Sequence, residues 1–169
     1  MKKIITLVFA LAFLYSCNDS SETVGTTSEI AGNVIVDVLQ TQGTAVSYVE
    51  TVSQNLNPII PNLNSVTNIT VNRLDFFYGN VTGNANAVIE SGTITVNGIT
   101  IETIIDVNVK TQADNETVFS VTNQSILNQI GALFLENEGI VIEFIGSVLS
   151  EEGPVNFAIV VSLNITADL

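Results

Sequence analysis

Few side chains in this sequence are suited to chemistry, and the chain has no histidine, the usual proton carrier near neutral pH. No Ser-His-Asp triad, Cys-His dyad or His-ligated zinc site can be built without it. Outside Lys2 and Lys3 at the start of the chain, a serine–lysine pair would need Lys110, which ends an alternating apolar run, where a solvated charge is expected. Carboxylates are plentiful, and glycosidases need only two; Glu90, Glu102, Asp106 and Glu143 are the candidates for a carboxylate-dependent hydrolase. Glu102 and Asp106, however, fall at even positions opposite Ile101, Ile105 and Val107, as on a solvated strand face. With 3 Tyr and no Trp, few rings are available to hold a sugar. Oxygen-ligated calcium is the one metal chemistry the composition permits. Asp114, Asn115 and Glu116 form one compact acidic group and Glu136, Asn137 and Glu138 another, but neither has the spacing of a calcium loop. The glycines are spaced as turn residues, without a phosphate-binding signature, so no cofactor is expected. In Phe76-Phe77-Tyr78, alternation sends Phe77 to the face opposite its neighbours, which makes it the candidate contact residue.

The remaining reactive group is the single cysteine, Cys17. It follows a basic start, Met1-Lys2-Lys3, and an apolar run from Ile4 to Leu14. That run is too short to cross a bilayer, which takes about 20 residues, and the order is that of a secretory signal peptide. Leu14-Tyr15-Ser16-Cys17 resembles a bacterial lipobox, with Tyr15 standing where that family carries a smaller residue. The resemblance implies cleavage before Cys17, a diacylglycerol on its sulfur and acylation of the new amino group. Two or three acyl chains supply the multiple anchors that stable membrane attachment needs. No cysteine is then left for a disulfide.

Cleavage would remove Lys2 and Lys3, leaving Arg73 and Lys110 as 2 basic residues against 17 acidic ones, a net −15 compared with −13 for the whole chain. Such a surface is repelled by phosphate backbones, which excludes nucleic acid as a partner. Residues 17–29 read as an acidic flexible tether. Asp19 and Glu22 within it resemble the export signal of surface lipoproteins from Bacteroidetes-type bacteria.

From residue 30 to 169 the dominant signal is alternation. Val34, Val36 and Val38 form one strand; Val46, Tyr48 and Val52 form a second, after a turn at Gln42-Gly43. Asn57-Pro58 predicts a short helical turn carrying Leu56, Ile59, Ile60 and Leu63. Between Val66 and Tyr78 the apolar phase slips from odd to even positions, which predicts a β-bulge near Asn72-Arg73. Asn97-Gly98 predicts a type I′ hairpin turn, with Val96 opposite Ile99 and Ile94 opposite Ile101. Alternation then runs through Thr103, Ile105, Val107 and Val109 to a polar turn at Ala113–Glu116 and a short strand at Thr117–Val121. Ile126, Leu127, Ile130, Leu133 and Phe134 fit an amphipathic helix, capped by Thr122 or Asn123 and ended by Gly139. A strand from Ile140 to Leu149 follows. Val155 to Ala167 then alternates without a break, as expected of a fully paired strand.

About eight strands, one amphipathic helix and one short helical turn fit a mainly β fold, an antiparallel β-sandwich with the helix closing one end or covering one edge. Lipobox, acidic tether, Thr- and Asn-rich strands, an "NG" hairpin and the stretch "DNETVFSVTNQSILNQIGALF" together resemble the small lipoproteins of Bacteroidetes-type envelopes. That resemblance implies a protein anchored in the bacterial outer membrane by lipid on Cys17, facing the periplasm or the surface. The expected function is a non-enzymatic binding or interaction module for a glycan or protein. The alternatives are an assembly subunit that uses strand pairing and, third, the carboxylate hydrolase.

Overall fold

The computed structural model describes residues 26–60 and 62–169. Cys17, the Leu14-Tyr15-Ser16 segment and the tether up to residue 25 lie outside the described residues. The strands are β1 (Thr26–Val38), β2 (Val46–Asn55), β3 (Asn68–Gly83), β4 (Val88–Val96), β5 (Ile99–Asn108), β6 (Val118–Ser120), β7 (Gly139–Leu149) and β8 (Val155–Asp168). Two helices, α1 (Val109–Asp114) and α2 (Gln124–Asn137), and a 3-10 turn at Leu63–Ser65 complete the described elements. The strands form two 4-stranded sheets, ordered β1-β8-β3-β6 and β2-β7-β4-β5, with every pairing antiparallel. This is the β-sandwich that the alternation predicts. β1 takes in Thr26–Glu29, the last residues read as tether.

β8 runs through the middle of the first sheet. Val155, Phe157, Ile159, Val161, Leu163, Ile165 and Ala167 all point into the core, and β1 and β3 pair with the strand on its two sides. Asn72 is the extra residue in β3: Val71 pairs with Ile165, but Arg73 pairs with Asn164. This slip returns Leu74, Phe76 and Tyr78 to the core. The Asn72 amide donates to Asn164 Oδ1 (2.9 Å) and Thr166 Oγ1 (2.8 Å).

The β4–β5 hairpin has the expected turn, with Asn97 at φ 48° and Gly98 at φ 78°, the left-handed pair a type I′ turn requires. Val96 pairs with Ile99 as expected, but Ile94 pairs with Glu102 rather than Ile101. Ile101 is an extra residue, and from there β5 is turned over relative to the sequence expectation. Ile104 is buried and Ile105 is 69 % exposed, while Glu102 shares a face with the buried Ile94. A second interruption, at Glu90 and Asp106, lies between the pairs Ile89–Val107 and Ser91–Ile105. Asp106 there has φ 52°, and Val107 comes back toward the core.

The hairpin turn is also tied to β7. Asn97 Nδ2 donates to the Gly139 carbonyl (3.1 Å), and Asn97 Oδ1 accepts from the Val141 N–H (2.6 Å). Asn97→Gly keeps the left-handed backbone accessible and removes only these two bonds. It should cost about 2 kcal/mol in urea unfolding. A loss under about 0.5 kcal/mol would mean that the amide does not hold the turn to β7.

Three local expectations change. Val109, read as the end of an alternating strand, is buried in α1, which Asn108 caps by accepting from the Thr111 N–H (2.7 Å). Asn123 does cap α2, accepting from the Ser125 N–H (3.0 Å), but the helix ends on Glu138 at φ 50°, and Gly139 opens β7. After Asn57-Pro58, one turn closes through the Ile59 and Ile60 N–H groups to the Leu56 carbonyl (2.9 and 2.8 Å), and the 3-10 turn follows.

β6 pairs only with Asp75–Phe77, so it leaves the first part of β3 without a strand neighbour on that side. α2 covers this stretch. Leu127, Ile130 and Phe134 are buried beneath it, and Gly131 lies against the β3 backbone at Ile69 and Val71. The helix thus covers one edge of the sandwich.

Candidate functional site

Beside α2, the border strands β6 and β5 do not meet. A pocket of about 260 Å³ opens between the sheets, walled by Phe76, Tyr78 and Phe119 on one side and by Glu102, Ile104, Ile105 and Val107 of β5, with Thr103, on the other. Phe76 and Phe119 stack, with ring centres 4.8 Å apart and 8° between planes. Tyr78 stands edge-on to both, at 6.4 and 6.1 Å. β6 is pinned in place by the Asp75 carboxylate, which accepts from Ser120 Oγ (2.6 Å) and pairs with Arg73. The Ile101 bulge decides what faces this opening. Without the extra residue, Glu102 would lie on the solvent side of β5.

Burial pushes the Tyr78 hydroxyl above its ordinary 10.0, and the Glu102 carboxylate pushes it further in the same direction. The unfolded chain therefore releases this proton near pH 10 and the folded chain holds it. Stability should be unaffected by Tyr78 below pH 10 and fall as pH rises above it. Absorbance at 295 nm should show the Tyr78 phenolate appearing only with unfolding, and Tyr78→Phe should flatten the alkaline loss. A reversible Tyr78 titration near pH 10 in the folded protein would contradict this placement.

The other candidates are dispersed. Glu143 faces outward on β7, paired beside Thr51 and Thr95. Glu90 and Asp106 are exposed at the interruption of the β4–β5 ladder. Of the four carboxylates weighed for hydrolysis, only Glu102 lines the pocket. Asp114 pairs with Lys110 one helical turn away, Asn115 caps α1, and Glu116 takes a left-handed turn conformation at φ 51°. Glu138 ends α2, and its carbonyl accepts from the Leu56 N–H (3.1 Å). Both acidic groups thus serve helix ends, and among the described residues no three His, Cys, Asp or Glu side chains gather as a metal site. Phe77 is half-buried on the outer face of the first sheet, beside a smaller hollow it shares with Val118, Ala113 and Glu116.

A larger but shallow hollow, about 560 Å³, crosses the outer face of the second sheet. Its rows, Ser47–Ser147–Ser91–Ile105 and Val49–Ile145–Thr93–Thr103, follow the strand register. It is an open Ser/Thr-rich surface, whereas the lateral pocket brings rings, a hydroxyl and a carboxylate together.

Alternation puts Phe76 and Tyr78 on one face and Glu102 is a candidate carboxylate, but nothing in the sequence signals that Phe119 joins them. Phe119 lies on a 3-residue strand, too short for alternation to show which way it faces.

No protein-family model matches this chain, and no curated protein matches it. Among solved structures, one chain in "Structure of infectious bursal disease virus Gx strain" aligns with 86 % of this chain at 12 % identity and a TM-score of 0.33. The aligned part is 33 % of that longer chain. A likeness at this level carries no argument about fold or function. Among the described residues no helix is long and apolar enough to cross a membrane.

Proposed function

We propose that this protein is a non-enzymatic binding module held on the bacterial envelope by lipid on Cys17, with the lateral pocket as its ligand site. The lipobox-like Leu14–Cys17 segment supports the location. The observation that carries the binding reading is the ring-walled opening between β5 and β6, into which a hydroxyl and a single carboxylate face. Hydrolysis by paired carboxylates would need a second one about 5 to 10 Å away, and Glu90, Asp106 and Glu143 do not line the pocket.

Glu102 lines the pocket from the inward face of a border strand and is only half-buried, so Glu102→Trp can obstruct the mouth with little cost to the core. Compounds and envelope glycan fragments that raise the melting temperature of the parent protein should lose that effect in Glu102→Trp. If their stabilisation persists, the pocket is not where they bind.

A second reading, assembly by strand pairing, loses its motive in β8, which already has neighbours on both sides. It keeps one in β1, a 13-residue strand at the border of its sheet. A monomer in size-exclusion chromatography would rule out obligate assembly.

A further inference from the structure

We propose that the lateral pocket takes a small organic cation: an ammonium group on an apolar body about the size of one ring. This rests on the binding-module reading and narrows it to a ligand class. Size is the first constraint. About 260 Å³ lies below the roughly 300–1,000 Å³ of pockets for drug-sized ligands. The second constraint is charge. The described chain has two basic residues, Arg73 and Lys110, and each is paired with a carboxylate, Asp75 or Asp114. Neither salt bridge involves Glu102, and the whole chain carries a net charge of −13. A ligand cation would meet a carboxylate at the pocket wall in a field of the same sign, where the apolar surroundings strengthen the attraction.

The rings supply the third constraint. Aromatic quadrupoles attract cations and do not attract anions at their faces. Tyr78 adds a hydroxyl that can accept from an ammonium N–H. The bulge at Ile101 links these features, because it aims Glu102 inward from a border strand. An inward charge on such a strand can also serve only to deter edge-to-edge pairing, so the test must separate the two roles.

The full chain carrying Cys17→Ser, so that no acyl chain competes for the pocket, is titrated with benzylammonium, benzyl alcohol and benzoate by calorimetry. Benzylammonium should bind roughly ten-fold more tightly than benzyl alcohol, with benzoate weakest. Glu102→Gln should erase the advantage of the amine and leave the alcohol unchanged, and Glu102→Trp should weaken both. Equal affinity for all three probes, or an amine preference that survives Glu102→Gln, overturns the cation assignment while leaving pocket binding intact. Glu102→Gln that promotes self-association without changing probe affinity assigns Glu102 to edge protection and also overturns it. If no probe binds and the thermal-shift screen is also empty, the binding-module reading falls with it.

Discussion

Gly131→Ala should destabilise the protein by about 3 kcal/mol, and Gly131→Val by enough to leave little folded protein. In an exposed helix interior alanine is about 1 kcal/mol better than glycine, so the expected sign is opposite to the helix propensity. The reason is the seat of α2 on β3. A Cβ on Gly131 would lie 2.3 Å from the Ile69 carbonyl oxygen and 3.4 Å from its carbon. These are backbone atoms of a strand fixed on its other side by β8, so no rotamer change relieves the clash. The helix must lift, taking Leu127, Ile130 and Phe134 out of the core. Ala132, the exposed neighbour, is the control: Ala132→Gly should cost only about 1 kcal/mol. Urea denaturation of the three variants checks both. A Gly131→Ala protein more stable than the parent would show that α2 does not sit on the β3 backbone.

Cys17→Ala should abolish palmitate incorporation and block processing of the chain before residue 17. The expected effect is all or none because Cys17 is the single cysteine of the chain. One acyl chain binds a bilayer only marginally, and two or three are needed for a stable anchor. A mature chain with 2 basic and 17 acidic residues would be repelled by an anionic lipid surface. Uncleaved precursor should accumulate as well, since processing before Cys17 would follow lipid addition in the family the segment resembles. Palmitate labelling or normal processing in Cys17→Ala would overturn the lipobox reading and, with it, the envelope location.

The two bulges show why some of the fold was legible in the sequence and some was not. In β3 the apolar residues change phase, from Ile69 and Val71 to Leu74, Phe76 and Tyr78, so the inserted residue left a visible mark. In β5, Ile99, Ile101, Ile104 and Ile105 put apolar residues at both phases, and an insertion at Ile101 leaves no trace. Asn97-Gly98 settled the turn and the first pair, but a turn controls register only as far as the next irregularity. α1 was missed for a related reason: Val109 prolongs the alternation by one step, and the cap at Asn108 closes a helix of only 6 residues. The pocket was least legible. Tyr78, Glu102 and Phe119 lie on three different strands, and no local pattern records that β5 and β6 border the same opening.

By itself, the sequence determined the strand-rich character, the uninterrupted burial of β8, the hairpin turn, a bulge near Asn72-Arg73 and a helix capped by Thr122 or Asn123. It also excluded histidine-based chemistry and an intrachain disulfide. Each of these depends on residue type, or on a period of two or 3.6 between near neighbours, which the backbone imposes locally. Tertiary structure alone decided the order of strands in the sheets, the seat of Gly131 on β3, the inward turn of Glu102 and the meeting of Phe119 with Phe76 and Tyr78. Those outcomes depend on which distant segments pair and on where a ladder slips by one residue, and packing of the whole sandwich settles both.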